Sequence, residues 1–236
     1  MVMTFATVAR FAGLGVALVA LIRETLALRA PGTLPIARLV RRELAAEPRP
    51  GQLVICLVAG TLVVVVPVVW SATLGTADVV LDSQWRSLSI VALIATLAIK
   101  ALWVFFEELA FRAALIKSFA GRIGVSAAIA LSAVAFAAAH GRDAASAAVL
   151  VVDGIGFGVA YAATGSIRAP IAWHLAKNLA VWLVTDQSTM QFASSPWRLT
   201  GVLSTGIVDL GVAALIVGLT SALLLGSRRS ALSIAS

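Results

Sequence analysis

LSIVALIATLAIKALWVFFEELAFRAALI, residues 88–116, is longer and more apolar than one bilayer crossing requires, yet it carries Lys100, Glu107, Glu108 and Arg112. A helix needs ~20 apolar residues to cross ~30 Å of hydrocarbon. The stretch therefore reads as a membrane helix with length to spare, its turns from about Phe111 to Phe119 tilting within the bilayer or projecting from it. Each ionisable group inserted in hydrocarbon costs roughly 2.5 to 3.5 kcal/mol, so such groups persist there for a function or a tight pairing. Both histidines of the chain lie in similar surroundings, His140 closing FAAAH and His174 opening HLAKN. Glu107, Glu108, Arg112, His140 and His174, together with Asn178, form a candidate working site.

The whole chain shares this character. At 61% hydrophobic and 12% charged residues, with a mean hydropathy of +1.02, it is far more apolar than a soluble domain, whose apolar share is about half. Its apolar runs are continuous and rich in Ala, Leu and Val, which excludes the ~10-residue alternating segments of a membrane barrel. The fold class is all-α, a polytopic transmembrane helical bundle forming one integral membrane domain over residues 1–236. Seven spans are expected, over about 4–28, 52–72, 88–116, 124–140, 144–163, 168–185 and 201–225. Arg10, Arg23 and Glu24 make the first the least apolar, and they must snorkel or lie outside the hydrocarbon.

Charge placement orients the bundle. The loop after the first span holds Arg23, Arg29, Arg38, Arg41, Arg42 and Arg49, and is cytoplasmic by the positive-inside rule. Alternation then puts Lys117, Arg122, Arg168, Arg228 and Arg229 on the same side, against Arg86, Arg142 and Arg198 opposite. The expected topology is a cell-membrane protein with its N-terminus outside and its C-terminus in the cytoplasm. It accounts for the net charge of +7 without a nucleic-acid partner. Membrane lipids are the expected surroundings, and the first loop could touch anionic headgroups. Between Pro31 and Pro50 lies a loop or a surface-lying helix, in which PIARLVRREL places Ile36, Leu39, Val40 and Leu44 on one apolar side. Cys56 has no possible intrachain disulfide partner and reads as packing. No cleavable signal is evident, because Arg10 interrupts the N-terminal apolar run.

Three pieces of local geometry carry chemistry. Adjacent helical residues point ~100° apart, whereas residues four apart share a face. Glu108 therefore pairs with Arg112, and Glu107 is left to face another part of the bundle as a candidate base. Phe136 and His140 share a face, so the ring packs one turn before the imidazole. His174 and Asn178 also share a face and can donate hydrogen bonds to one point, where donors stabilise a developing oxyanion.

In this order, EELAFR, FAAAH and HLAKN resemble the EExxxR, FxxxH and HxxxN motifs of the CPBP intramembrane protease family, which includes type II CAAX prenyl endopeptidases and bacteriocin-immunity proteins. The lead-in TGSIRAPIAW is also similar, and the resemblance covers about residues 88–185. It implies an intramembrane endopeptidase acting on a membrane-associated peptide or protein. It further implies that Glu107 and His140 activate a water, that His174 and Asn178 stabilise the oxyanion, and that Glu108 and Arg112 support them. No cofactor and no metal are expected. Two alternatives stay open: an open zinc site made by Glu107, His140 and His174, and a non-proteolytic binding or immunity protein whose polar cluster holds a partner helix.

Other intramembrane chemistries lack their motifs. Neither histidine belongs to HExxH, no GxSG serine is present, and Asp153 and Asp209 lack the GxGD context. Both aspartates read as capped by Ser, Thr or water. Gly154 and Gly158 form GxxxG, a close helix approach. Lys100, seven residues before Glu107, reads as snorkelling to an interface or tuning that carboxylate. Depth leaves one conflict: counting from the inner loops puts Glu107 ~15 Å, His174 ~9 Å and His140 ~25 Å deep. These groups must meet at one level, so the boundary at 124 is suspect.

Overall fold

A computed structural model describes residues 15, 18–19, 35–81, 90–140, 144–185, 197–201 and 206–234. Seven continuous helices lie among the segments it describes: α1 Pro35–Ala45, α2 Pro50–Thr73, α3 Ile90–Ile123, α4 Val125–His140, α5 Ala144–Thr164, α6 Arg168–Thr185 and α7 Gly206–Ile234. Two short strands, β1 Ala77–Leu81 and β2 Trp197–Gly201, pair antiparallel with Ala77 opposite Gly201 and Leu81 opposite Trp197. This ribbon falls where the sequence suggested only loops.

Local sequence explains where the helices start and stop. Both α1 and α2 begin on proline, whose missing N–H costs nothing at the first helical position. Gly75, Gly124 and Gly165 take positive φ of 67°, 82° and 68° just past the ends of α2, α3 and α5, a conformation that favours glycine. At Gly124 the reversal is so short that α4 begins on the next residue.

Helices α2, α3 and the Ser146–Thr164 part of α5 are long and apolar enough to cross a membrane, whereas α4 and the Leu210–Gly226 part of α7 are apolar but shorter. The chain is thus a multi-pass helical membrane protein. Of the seven expected spans, the first lies almost wholly outside the described residues. The span expected over 168–185 does not qualify on hydropathy, because α6 carries Arg168, His174, Lys177 and Asn178. Large apolar side chains face outward along α2 (Val54, Val58), α3 (Ile90, Ile94) and α7 (Leu215, Leu219). Such a surface suits lipid rather than water.

Small residues set the tightest contacts. A Cβ on Gly60 of α2 would come within 2.2 Å of the Trp173 carbonyl oxygen, so α2 and α6 meet backbone to backbone. At Gly154 and Gly158 it would meet Ala133 Cα at 2.8 Å and Ile129 Cγ2 at 2.7 Å. The GxxxG pair therefore seats α5 on α4, as expected. Cys56 is buried in the core, also as expected. The Pro-flanked segment is helical as α1, with Leu39 buried and Val40 and Leu44 packed beside it; the side chain of Ile36 lies outside the described residues. A buried glutamate also fastens α1 to the bundle. Glu43 accepts from Tyr161 Oη at 2.9 Å and from Lys117, while Ser166 donates to the Ala46 carbonyl at 2.6 Å.

For Glu107 and His140 the depth conflict resolves at the α3–α4 turn, where the end of α3 moves and the suspected boundary at 124 stands, α4 beginning on Val125. Helix α3 continues seven residues beyond the expected end at 116, through a π-helical stretch Leu109–Ile116, and stops at Ile123. Glu107 is then seventeen residues before Gly124 and His140 sixteen after it. At ~1.5 Å per residue the two stand level, ~25 Å from the turn.

Candidate functional site

Glu107 and Glu108 end the regular part of α3, immediately before its π-helical stretch. Such widened turns occur mostly as short insertions inside α-helices, frequently at functional sites. Ser132 of α4 donates a 2.6 Å hydrogen bond to the carbonyl of Phe111 within this stretch, tying it to the neighbouring helix.

The two carboxylates are held in different ways. Glu108 is fully buried; its Oε2 lies 3.1 Å from Arg112 Nε, and its Oε1 accepts a 2.8 Å hydrogen bond from His174 Nδ1. The expected pair is present, and Glu108 orients His174 as well. Arg112 is also fully buried, with its guanidinium carbon 4.6, 5.1 and 5.8 Å from the ring centres of Phe136, Phe157 and Phe111. None of its three guanidinium nitrogens has a hydrogen-bond partner among the described residues, nor does Glu108 Oε2, so the pair is an ion contact without hydrogen-bond alignment. Desolvated cation–π contacts, worth about 2 kcal/mol or more, help to hold the charge there.

Glu107 faces the two imidazoles. Its Oε1 is 3.7 Å from His140 Nε2 and its Oε2 is 3.6 Å from His174 Nε2, both beyond direct hydrogen-bond reach. Oε1 also accepts a 2.8 Å hydrogen bond from Trp103 Nε1. His140 Nδ1 lies 2.8 Å from the Phe136 carbonyl, a contact that requires a proton on Nδ1. In the neutral ring Nε2 is then an acceptor. A carboxylate oxygen and an imidazole lone pair thus oppose each other, an arrangement that a proton donor between them would satisfy.

Aromatic rings fix both histidines. Phe136 packs 4.4 Å from the His140 ring and meets His174 edge-on at 5.6 Å, while Phe157 stacks on His174 at 4.8 Å and 16°. Exposure grades across the cluster, with side chains of Glu108 and Arg112 at 0%, His174 at 4%, Glu107 at 14% and His140 at 27%. The orienting groups are sealed, and the Glu107–His140 edge is the accessible one.

The structure therefore brings Glu107, Glu108, Arg112, His140 and His174 together. Asn178 lies one turn beyond His174 on α6, half-buried, and its carboxamide makes no hydrogen bond among the described residues. Among those residues, no group of three or more His, Cys, Asp or Glu is placed to hold a metal ion. Asp153 corrects an expectation: its Oδ2 pairs with Lys177 of α6 in a buried ion pair, a partner the sequence reading did not name. The Asp209 side chain lies outside the described residues. Lys100 is buried, which corrects the snorkelling reading.

Sequence reasoning passed over Trp103, Phe157 and Lys177. Trp103 was within reach, because it precedes Glu107 by four residues on the same helix. Phe157 gives no signal of its own in an otherwise apolar helix.

Residues 85–180 match the family of type II CAAX prenyl endopeptidases described as Rce1-like, a region that holds all six residues of the candidate site. No curated protein matches the chain.

Proposed function

We propose that this chain, whose residues 85–180 are a domain of the Rce1-like type II CAAX prenyl endopeptidase family within the CPBP proteins, is an intramembrane endopeptidase using a water activated by Glu107 and His140. One observation carries this reading: Glu107 Oε1 and His140 Nε2 oppose each other as acceptors 3.7 Å apart, at the accessible edge of an otherwise sealed polar cluster. A water entering there donates to both. Glu107 takes its proton, the oxygen attacks the peptide carbonyl, and the C–N bond breaks as the proton passes to the departing amine.

The oxyanion falls to α6. His174 Nδ1 donates to Glu108, so its Nε2 serves as a donor when both ring nitrogens carry a proton. Asn178 supplies a carboxamide N–H from the next turn. Removing one such donor typically costs ~10² to 10³ in turnover. Glu108 and Arg112 touch no substrate in this scheme; they set the ring plane of His174. The substrate is a membrane-associated peptide or protein, reached within a bilayer whose cytoplasmic face lies against the arginine-rich first loop.

Glu107→Gln keeps the shape and removes the base. Comparing N-terminal peptides of membrane proteins from cells carrying wild type or E107Q should reveal products that disappear in the variant. Identical products with normal biological activity would favour a non-proteolytic binding protein, the polar cluster then serving a partner helix.

A further inference from the structure

Trp103 is half-exposed on α3, so core packing does not explain a tryptophan there. Its indole N–H points along the helix to Glu107 Oε1 at 2.8 Å, the same oxygen that faces His140 at 3.7 Å. We infer that Trp103 is a positioning residue for the base, its N–H fixing the rotation of the Glu107 carboxylate so that one oxygen addresses each histidine. This rests on Glu107 being the water-activating group.

The need for such a device follows from the side chain. The terminal torsion of glutamate is broad and roughly two-fold, so packing alone sets it poorly. Glu108 is held by a hydrogen bond from His174 to Oε1 and by the ion contact of Oε2 with Arg112. Glu107 has no Lys or Arg salt bridge among the described residues, and its contacts to the two imidazoles are longer than hydrogen bonds. The 2.8 Å contact from Trp103 is its one short hydrogen bond there. Hydrogen bonds to an ionised acceptor are about twice as strong as neutral ones. A carboxylate oxygen has two lone pairs. Trp103 occupies one on Oε1 and leaves the other for the water shared with His140.

Two measurements on the full-length protein test this. In spectra of 15N-tryptophan-labelled protein, the indole signal that vanishes in Trp103→Phe should shift in Glu107→Gln, because the carboxylate acceptor is lost. Turnover is read on a peptide spanning a cleavage site that distinguishes wild-type from E107Q membranes. Trp103→Phe keeps an aromatic ring without the donor, and should lower kcat roughly tenfold, a factor equal to ~1.4 kcal/mol of barrier. KM should stay within about twofold, since the lost contact is not to substrate. Trp103→Gln, which returns an N–H donor one turn before Glu107, should recover part of kcat. An indole signal indifferent to E107Q, an unchanged kcat in W103F, or equal losses in W103F and W103Q would overturn the inference while the base assignment stood. Identical cleavage products from wild-type and E107Q cells would overturn the endopeptidase reading and this inference with it.

Discussion

Replacing Glu108 by glutamine should destabilise the protein, whereas the same change at its neighbour Glu107 should not. Glu108 is fully buried and holds two partners, Arg112 Nε at 3.1 Å and His174 Nδ1 at 2.8 Å. The carboxamide has nearly the same shape but no charge, so the guanidinium loses its counterion in a site sealed from solvent. Breaking a buried pair on one side typically costs 3–5 kcal/mol. The rings of Phe136, Phe157 and Phe111 remain around the cation, which places the expected loss at the lower end, about 3 kcal/mol. At about 2–4 °C per kcal/mol for a protein of this size, E108Q should melt about 6–12 °C below wild type in detergent. E107Q should stay within about 2 °C, because its carboxylate has one short hydrogen bond, to Trp103, at an exposed edge. Pairing E108Q with Arg112→Met removes both charges and should recover much of the stability. A melting temperature for E108Q equal to that of E107Q, or a double variant no more stable than E108Q, would refute this assignment of the buried charge.

Asn178→Ala should lower kcat by ~10² to 10³ with little change in KM, since an oxyanion contact acts mainly in the transition state; a raised KM at unchanged kcat would instead make Asn178 a docking contact. Gly60→Ala should cost about 1–3 kcal/mol and also reduce activity, because its Cβ would lie 2.2 Å from the Trp173 carbonyl oxygen and push away the helix that carries His174. Gly51→Ala, with nothing within 4 Å, is the control for thermal denaturation. Reporter fusions after Arg42 and Ser236 should both read cytoplasmic, and a signal from the opposite side at either would overturn the proposed orientation.

What could be read from the sequence was local. Helical spacing of four related Glu108 to Arg112 and Phe136 to His140, and the ~100° step between adjacent residues separated the two glutamates. The structure keeps all three relations. The same rule applied to Trp103 and Glu107 would have found that hydrogen bond, so its omission was not a limit of the sequence. Contacts across the bundle had no such signal. Glu108 meets His174 from sixty-six residues away, Lys177 meets Asp153 from twenty-four, and Glu43 meets Tyr161 from one hundred and eighteen. Spacing cannot say which of several buried polar groups face each other. The end of α3 was hidden for a different reason: Lys117 and Arg122 resemble loop residues in an apolar chain, but Lys117 reaches Glu43 of α1 and the helix runs on beneath both.

Ion pairing within and between helices also bears on which carboxylate could serve as the proposed base. Desolvation makes an isolated buried charge costly, so each ion needs a compensating group nearby. Arg112 compensates Glu108 and Lys177 compensates Asp153, both within the bundle. Glu107 makes no Lys or Arg ion pair among the described residues; its near contacts are two imidazoles and one indole N–H. Of the three glutamate and aspartate side chains gathered here, it is the one without a Lys or Arg ion pair. Adding a permanent cation beside Oε1 should therefore weaken Glu107 as a base. Trp103→Lys places an ammonium one turn before Glu107, in reach of Oε1. An i, i+4 pair there contributes only about 0.3–0.5 kcal/mol, so the fold should stay intact and kcat should fall about twofold below that of W103Q, which offers an uncharged donor at the same place. A kcat for folded W103K equal to or above that of W103Q would show that a cation beside Glu107 does not matter.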